Sequence, residues 1–305
     1  MPKTPAEIEA TLRQMTRVSM GIARNIDGNE AAMNGQLLKL QRALFELLVA
    51  EFLTGFDTDS GALKATSANL ARVSAIDRLF DALRRSQIGG IIDDFAGRLN
   101  DIIRAVGDYF RIGFAASTVD RISESNAAIH AIIGIKDGKL IPGGYLDRLA
   151  RAEELRNQLK NYMTASIINR ASLRDITRGL SVLVQGSPDV DGFLVRYYRQ
   201  YAYDTFNQVR EIKNRQFADG LGLKYFIYQG SIIETSRKFC EKKAGKVFTT
   251  DQAKKWKDDP DLIDQKTKAT YNPLIERGRY NCRHWIDYIS EEAAQYLLKK
   301  QKQVA

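Results

Sequence analysis

Helical periodicity dominates the first two hundred residues of this chain and limits most strongly what it can fold into. Leu37, Leu40 and Leu44 recur at spacings of three and four residues, which places apolar side chains on one stripe of a helix. Residues 91–103 repeat the pattern, and few strand signals interrupt it. Such a stripe is typical of core or helix-pairing surface. We therefore predict a mainly α protein whose N-terminal part is an elongated helical body.

The pattern changes after Gly222. Three short runs rich in aromatic and β-branched residues, KYFIYQG, GKVFTT and HWIDYIS, have the composition of strands. The last fifteen residues have the pattern of an amphipathic helix with lysines near its C-terminal end, where they suit the helix dipole. The sequence thus predicts a small α+β C-terminal module attached to the helical body.

Glycines and prolines suggest where the segments divide. Asp137-Gly138 and Pro142-Gly143-Gly144 break the helical pattern and mark the best candidate boundary. Further on, Ser172 precedes Asp175 by three residues, which predicts a capped helix start, and Gly186 predicts the end of that helix. The predicted segments are a helical body at 1–140, long helices leading into the module at 145–220, and the module itself at 221–305.

Composition narrows the class of protein. Of the 305 residues, 44% are hydrophobic and 27% are charged, which is ordinary for a globular protein. No apolar run approaches the roughly 18 to 20 residues of a membrane-spanning helix, and the first residues lack the apolar region of a secretion signal. We expect synthesis in the cytoplasm, where two cysteines remain thiols and form no disulfide framework.

Positive charge is concentrated in the second half. Residues 151–305 hold 28 Lys and Arg against 19 Asp and Glu, so they carry the whole net charge of +9. Basic residues interleaved with aromatic ones suit phosphate contact and base stacking. A solvated basic surface, with the aromatics on a buried helix face, is the alternative. The candidates for contact with nucleic acid are Arg196, Arg199, Arg210, Lys213, Arg215, Lys242, Lys243 and Lys246.

The stretch YNCRHWID combines one of the two cysteines, Cys282, with one of the two histidines, His284. With Cys240 they offer two thiolates and an imidazole, which bind zinc if the strands bring them together, and a carboxylate such as Asp287 or Glu241 could complete a tetrahedral site. The spacing is not that of a standard zinc finger. The alternative is that the cysteines are small buried apolar groups.

Signs of an enzyme are few. The other histidine, His130, lies in the apolar context NAAIHAIIGI, which is more typical of a packed core histidine than of a ligand. The chain contains no P-loop, no G-x-S-x-G and no H-E-x-x-H motif. We therefore expect a protein without enzymatic activity.

The order of motifs is more informative than any one of them. The chain contains SLRDITRGL, then GFLVRYYRQYAYDTFNQVR, then GLKYFIYQGSIIETSRKFCEKKAGKVFTT, then Trp256, and finally YNPLIERGRYNCRHW. This order resembles the C-terminal domain of tailed-phage minor head proteins, the Mu-type head morphogenesis family. The resemblance covers roughly residues 165–290 and leaves the first 160 without a counterpart. The matching positions are Asn207, Arg210, Tyr228, Gly230, Thr235, Arg237, Cys240, Gly245, Val247, Phe248, Asn281, Cys282, Arg283 and His284.

Two departures from the family pattern affect the metal question. The usual D-x-R-T becomes ETSRKFC, and the frequent final C-R-C becomes CRH. Both changes keep residues that can bind metal, so the resemblance leaves the number of metal ions open. The resemblance implies a minor virion protein that binds the portal inside the capsid, lies near packaged double-stranded DNA and leaves with the genome. The major capsid or scaffold protein is a further expected partner.

Two other functions stay open. The residues leave open a zinc-stabilised module that binds protein or DNA. The resemblance leaves open a toxin-type enzyme, because the family's domain is sometimes joined to enzymatic partners, although the missing catalytic groups weigh against it. During assembly we expect the chain in the host cytoplasm, and afterwards in the virion near the portal.

Overall fold

The computed structural model describes residues 4–123, 129, 134–136, 139–263 and 269–304. His130, Asp137 and Gly138 lie outside the described residues. The helices of the described part are, in chain order, α1 (Pro5–Leu47), α2 (Ser67–Arg72), α3 (Ala75–Leu83), α4 (Gly89–Gly113), α5 (Ala116–Ser123), α6 (Tyr145–Arg151), α7 (Glu153–Ile168), α8 (Leu173–Gln185), α9 (Phe193–Gly220), α10 (Lys238–Glu241), α11 (Thr250–Lys254), α12 (Pro273–Glu276) and α13 (Glu291–Val304). Single π-helical turns follow α1 at Leu48–Phe52 and α3 at Arg84–Ile88, and 3-10 turns lie at Leu53–Gly55 and Lys255–Asp258.

The predicted helical stripes are confirmed. Leu37, Leu40 and Leu44 of α1 are buried, as are Phe95 and Leu99 of α4. Their three- and four-residue spacing keeps them on one side of each helix, where burial of apolar surface stabilises the fold. No helix of the described part is both long and apolar enough to cross a membrane.

Local helix signals also hold. The hydroxyl of Ser172 accepts a hydrogen bond of 3.1 Å from the backbone N–H of Asp175 and so caps α8. Gly186 ends the same helix with φ = 93°, a conformation that glycine adopts without steric cost. The helix therefore begins and ends where the sequence predicts.

The three predicted strands are present and form the sheet of the C-terminal module. They are β7 (Tyr225–Gln229), β8 (Val247–Thr249) and β9 (Trp285–Ile289). The sheet is antiparallel with the order β8-β7-β9. The other strands of the described part are two residues long and pair as three antiparallel hairpins. These are β1 (Thr58–Asp59) with β2 (Ala62–Leu63), β3 (Ile135–Lys136) with β4 (Lys139–Leu140), and β5 (Gly186–Ser187) with β6 (Val190–Asp191). The mainly α fold with a small α+β C-terminal module is confirmed.

Each face of this sheet is covered. On one face Trp256 packs edge to face against Phe226, Phe239 and Phe248, with ring centroids 5.8, 5.6 and 5.2 Å away. On the other face an apolar cluster joins the start of α1, the sheet and α13, and its buried members are Ile8, Leu12, Ile227, Val247, Ile289, Ala293 and Ala294. Because side chains alternate along a strand, β7 contributes side chains to both clusters.

Side chains of α9 form hydrogen bonds with the backbone at one edge of the sheet. β9 is an outer strand, and the backbone of its Ile286 bonds to two of these side chains. Its N–H donates to Glu211 at 3.3 Å, and its carbonyl accepts from Asn214 at 3.0 Å. An open strand edge invites pairing with other chains, so these bonds protect the edge at this point.

Contacts divide the chain into two units, each assembled from separate segments. Unit 1 comprises Met1–Gly28, Arg98–His130 and Tyr203–Ala305, and unit 2 comprises Asn29–Gly97 and Ala131–Ala202. The C-terminal module belongs to unit 1. The segments at 1–140, 145–220 and 221–305 drawn from the sequence stay a prediction.

Candidate metal centre

Cys240, Cys282 and His284 meet in the buried interior of the module. Cys240 lies in α10, and the other two lie just before β9. All three are at most 2% exposed, and their ligand atoms lie within 4.8 Å of one another, with the two sulfur atoms 3.9 Å apart. The residues that the sequence singled out as metal ligands therefore form a group that could hold a metal ion.

His284 needs a partner that the described protein atoms do not provide. Its Nε2 is buried and has no hydrogen-bond partner within the described part of the chain. A buried polar atom without a partner is costly and calls for an explanation. Two thiols beside the same imidazole fit a zinc ion, which binds sulfur and nitrogen donors.

Tyr228 adjoins every member of this group. Its hydroxyl oxygen lies 3.4 Å from the sulfur of Cys240 and 3.6 Å from that of Cys282. Its ring stacks on the imidazole of His284, with centroids 5.3 Å apart and planes at 11°. Tyr228 is one of the positions that match the phage family pattern, but nothing in the sequence connects it with the cysteines.

Two glycines make room for the group. A Cβ on Gly278 would lie 2.6 Å from the sulfur of Cys240 and 3.1 Å from that of Cys282. A Cβ on Gly230, whose φ is 132°, would lie 2.7 Å from Cδ2 of His284. Gly230 was a family position, whereas Gly278 was missed, although its place in ERGRYNC beside Cys282 was a usable signal.

The two thiols differ in acidity because they share a hydrogen bond. That bond and burial raise the pKa of Cys240. The bond from Cys240 and a further one from His284 outweigh burial at Cys282 and hold the pKa of that thiol well below its ordinary value. Since metals bind thiolates rather than thiols, Cys282 is the better prepared ligand.

The turn that carries Cys282 is held by hydrogen bonds from outside it. Arg237 donates to the carbonyls of Gly278 at 2.9 Å and Tyr280 at 2.8 Å. The N–H of Asn281 donates to Asp204 at 2.8 Å. Arg277, Arg279 and Asn281 adopt positive φ values of 52°, 73° and 51°, which cost energy in residues other than glycine. These bonds keep the turn in that conformation.

Three other positions that match the phage family pattern, Arg283, Gly245 and Thr235, differ in their surroundings. Arg283 bonds Asp27 at 2.8 Å and stacks over the ring of Tyr203. Gly245 has φ = 74° and donates its N–H to the carbonyl of Tyr228 at 2.8 Å. Thr235 lies exposed in the loop after β7.

The predicted carboxylate ligands are wrong. Asp287 lies three residues after His284, so it faces the opposite side of the strand. There it accepts hydrogen bonds from Ser19 at 2.5 Å and Trp285 at 3.2 Å. Glu241 is exposed, and neither carboxylate belongs to the metal group found among the described residues.

Two of the predicted DNA contacts, Arg210 and Lys213, are corrected by their burial. They are 1% and 0% exposed. Arg210 lies 3.5 Å from Asp287 and donates to the hydroxyl of Ser19 at 2.6 Å. Burial lowers the pKa of Arg210 and raises that of Asp287, while each charge opposes the shift of its partner. Neither basic group can reach a phosphate in this conformation.

Lys243 is a third correction. It is 6% exposed, pairs with Asp259 and lies 3.7 Å from the centroid of the Phe239 ring. The remaining candidates reach the surface. Three of them are paired, namely Arg199 with Glu30, Arg215 with Asp219 and Lys242 with Asp261. Arg196 and Lys246 are exposed.

A second buried ion pair was missed from the sequence. Arg277 and Glu211 are 2% and 0% exposed, and their charged atoms lie 3.4 Å apart. Arg277 also donates to Asn207 at 3.2 Å. An odd charge within the apolar face of a helix, as at Glu211 of α9, is the signal that could have found it.

No family model, curated protein or solved structure matches this chain.

Proposed function

We propose that this chain is a minor head protein of a tailed bacteriophage that binds the portal inside the head and lies near packaged DNA. The ordered motifs at about 165–290 support the proposal through their resemblance to the Mu-type head morphogenesis family. One structural observation also supports the proposal. Motif residues distant in sequence, such as Tyr228, Cys240 and His284, pack into one buried cluster. A coherent set of this kind favours one inherited module over scattered coincidences.

Virions test this proposal directly. Mass spectrometry of purified particles from a host that produces the phage should detect the chain at a few copies per portal. Deleting the gene should reduce the number of DNA-filled heads, and expression from a plasmid should restore it. Particles that lack the protein, with unchanged yield on deletion, would contradict the proposal.

Contact with DNA is the second part of the proposal. With the buried candidates removed, the basic residues that can reach DNA are Arg196, Arg199, Arg215, Lys242 and Lys246, which are all exposed to solvent at least in part. Binding through phosphates is independent of sequence and weakens steeply as salt rises. The full chain should therefore release nonspecific duplex DNA between 50 and 200 mM salt, and R196Q/R199Q should flatten the slope of log affinity against log salt by about two. Absent or salt-insensitive binding would contradict the proposed contact with DNA.

The module is also proposed to be stabilised by zinc. Cys240, Cys282 and His284 would hold the ion, and the orphaned Nε2 of His284 is the observation that favours it. Bound zinc would contribute directly to the folding free energy of the module. This part also applies to the alternative function, a zinc-stabilised module that binds protein or DNA.

Metal analysis tests the zinc site. Elemental analysis of the purified chain should give about one zinc per molecule, because the described residues hold one such group. A chelator should lower the melting temperature of the native chain but not that of C282S, which has already lost a ligand. A metal-free chain whose stability is unaffected by both changes would refute the zinc site.

A further inference from the structure

The distances around Tyr228 match the edges of a zinc tetrahedron. With Zn–S near 2.3 Å and Zn–O near 2.0 Å, tetrahedral geometry puts two sulfur ligands about 3.8 Å apart and a sulfur and an oxygen about 3.5 Å apart. The two sulfurs lie 3.9 Å apart, and the hydroxyl oxygen of Tyr228 lies 3.4 and 3.6 Å from them. These three atoms therefore already have the spacing of one face of a coordination shell.

Two hydrogen bonds are the alternative explanation of this arrangement. A tyrosine hydroxyl can donate its proton to one sulfur and accept the proton of the other thiol, and its oxygen is nearly equidistant from the sulfurs of Cys240 and Cys282. Thiols are weak partners as donors and as acceptors. An oxygen that shares a central ion with both sulfurs gives the same near-equal distances, and the metal-bound spectra described below distinguish the two arrangements.

The imidazole completes the set. Its ring is stacked on that of Tyr228, and its ligand atom lies within 4.8 Å of both sulfurs. A tetrahedral site needs about 3.5 Å between sulfur and nitrogen, so an inward shift of the His284 imidazole by at most about 1.3 Å is enough. Gly230 and Gly278 leave space around the imidazole and the sulfurs.

We propose that the hydroxyl oxygen of Tyr228 is the fourth ligand of the zinc site formed by Cys240, Cys282 and His284. The proposal rests on the zinc site above and specifies its coordination. Asp287 and Glu241, the carboxylates considered from the sequence, point elsewhere. Because Tyr228 is fully buried, the four protein ligands close the site and leave no open position for substrate, which is the property of a structural zinc site rather than a catalytic one.

The test compares Y228F with a matched control on the same strand. Phenylalanine keeps the ring that stacks on His284 and removes only the oxygen. Tyr225 lies on the opposite face of β7, away from the sulfurs, so Y225F removes a hydroxyl without touching the site. Each full-length variant is stripped of metal, and its zinc affinity is measured by competition with a chromophoric chelator. The cobalt(II) form is examined by visible absorption and X-ray absorption.

Wild type and Y225F should bind one zinc and, with cobalt, show a first shell of two sulfurs and two nitrogen or oxygen atoms. Y228F should bind zinc at least about 10-fold more weakly, a loss that the removal of a group hydrogen-bonded to the ligands can also cause. The result specific to a ligand is a shift of the cobalt bands, because the coordination shell itself has changed. A purely packing role for the hydroxyl would leave those bands in place.

The outcomes separate this proposal from the one on which it rests. If Y228F binds zinc within twofold of wild type and has the same cobalt spectrum, the fourth-ligand proposal is overturned while the three-residue zinc site stands. If wild type binds no metal, both zinc proposals are overturned. Neither result bears on the virion test of the head protein.

Discussion

The buried pair Arg210 and Asp287 provides a sharp test of how unit 1 is stabilised. Their charged atoms lie 3.5 Å apart and both side chains are almost fully enclosed. At that separation and an effective dielectric constant near 20, their attraction is about 5 kcal/mol. Removing one partner leaves the other charge buried without compensation, which costs about 3–5 kcal/mol. We expect R210M and D287N each to destabilise unit 1 by that amount.

A double-mutant cycle separates the pair from its surroundings. If the two residues were independent, the double variant R210M/D287N would cost about 6–10 kcal/mol, whereas coupling should keep its cost near that of one single variant. Urea unfolding followed by tryptophan fluorescence suits the measurement, because the chain's two tryptophans, Trp256 and Trp285, both belong to unit 1.

Two results would refute this reasoning. The first is single variants that each cost under 1 kcal/mol, which would mean that the charges are solvated. The second is additivity within about 0.5 kcal/mol, which would mean that the two groups do not interact. As a control on the corrected DNA assignment, R210M under conditions where it stays folded should leave the salt dependence of DNA binding unchanged, unlike R196Q/R199Q.

Three further predictions follow from local geometry. G278A should destabilise unit 1 by about 1–3 kcal/mol and weaken zinc binding, because the new methyl group overlaps the sulfur of Cys240. G97A is the control, because a Cβ at Gly97 meets open space. Equal behaviour of the two variants would contradict the packing argument. S172A should lower the stability of the unit that contains α8 by about 1 kcal/mol in thermal unfolding followed by circular dichroism, because the helix loses its cap; an unchanged transition would exclude a role for the cap. Burial raises the pKa of Asp147, but hydrogen bonds from the N–H of Gly143 and from Arg151 outweigh it and leave the pKa below its ordinary value. The ionised carboxylate therefore adds stability above pH 4, and this stability is lost as the pH falls. The difference in unfolding free energy between wild type and D147N should shrink between pH 7 and pH 3. A constant difference would count against the ionic explanation.

Patterns within a few residues predicted the fold well. The leucine spacing of α1, the cap at Ser172 and the aromatic strand β7 each depend on neighbours in sequence, and the structure contains all three. Periodicity and capping act locally, so they can be recognised without knowing what packs against them.

Partners distant in sequence explain what the sequence did not predict. Arg210 was interpreted as a surface residue because it lies in a basic segment, whereas its partner Asp287 comes from a strand 77 residues later. The metal group was different, because Cys240, Cys282 and His284 were recognisable by their chemistry alone. Strand alternation counted from His284 would already have placed Asp287 on the other face.

The apolar cluster beneath the sheet affects how the chain folds during synthesis. Ile8 and Leu12 pack with Ile289 and Ala293, so the first turns of α1 wait for partners that the ribosome adds about 280 residues later, roughly 14 to 56 s at 5–20 residues per second. During that interval their apolar face has no native cover in this cluster. Unit 1 therefore closes only late in translation, and a nascent chain stalled before residue 285 should be a chaperone client and sensitive to proteases.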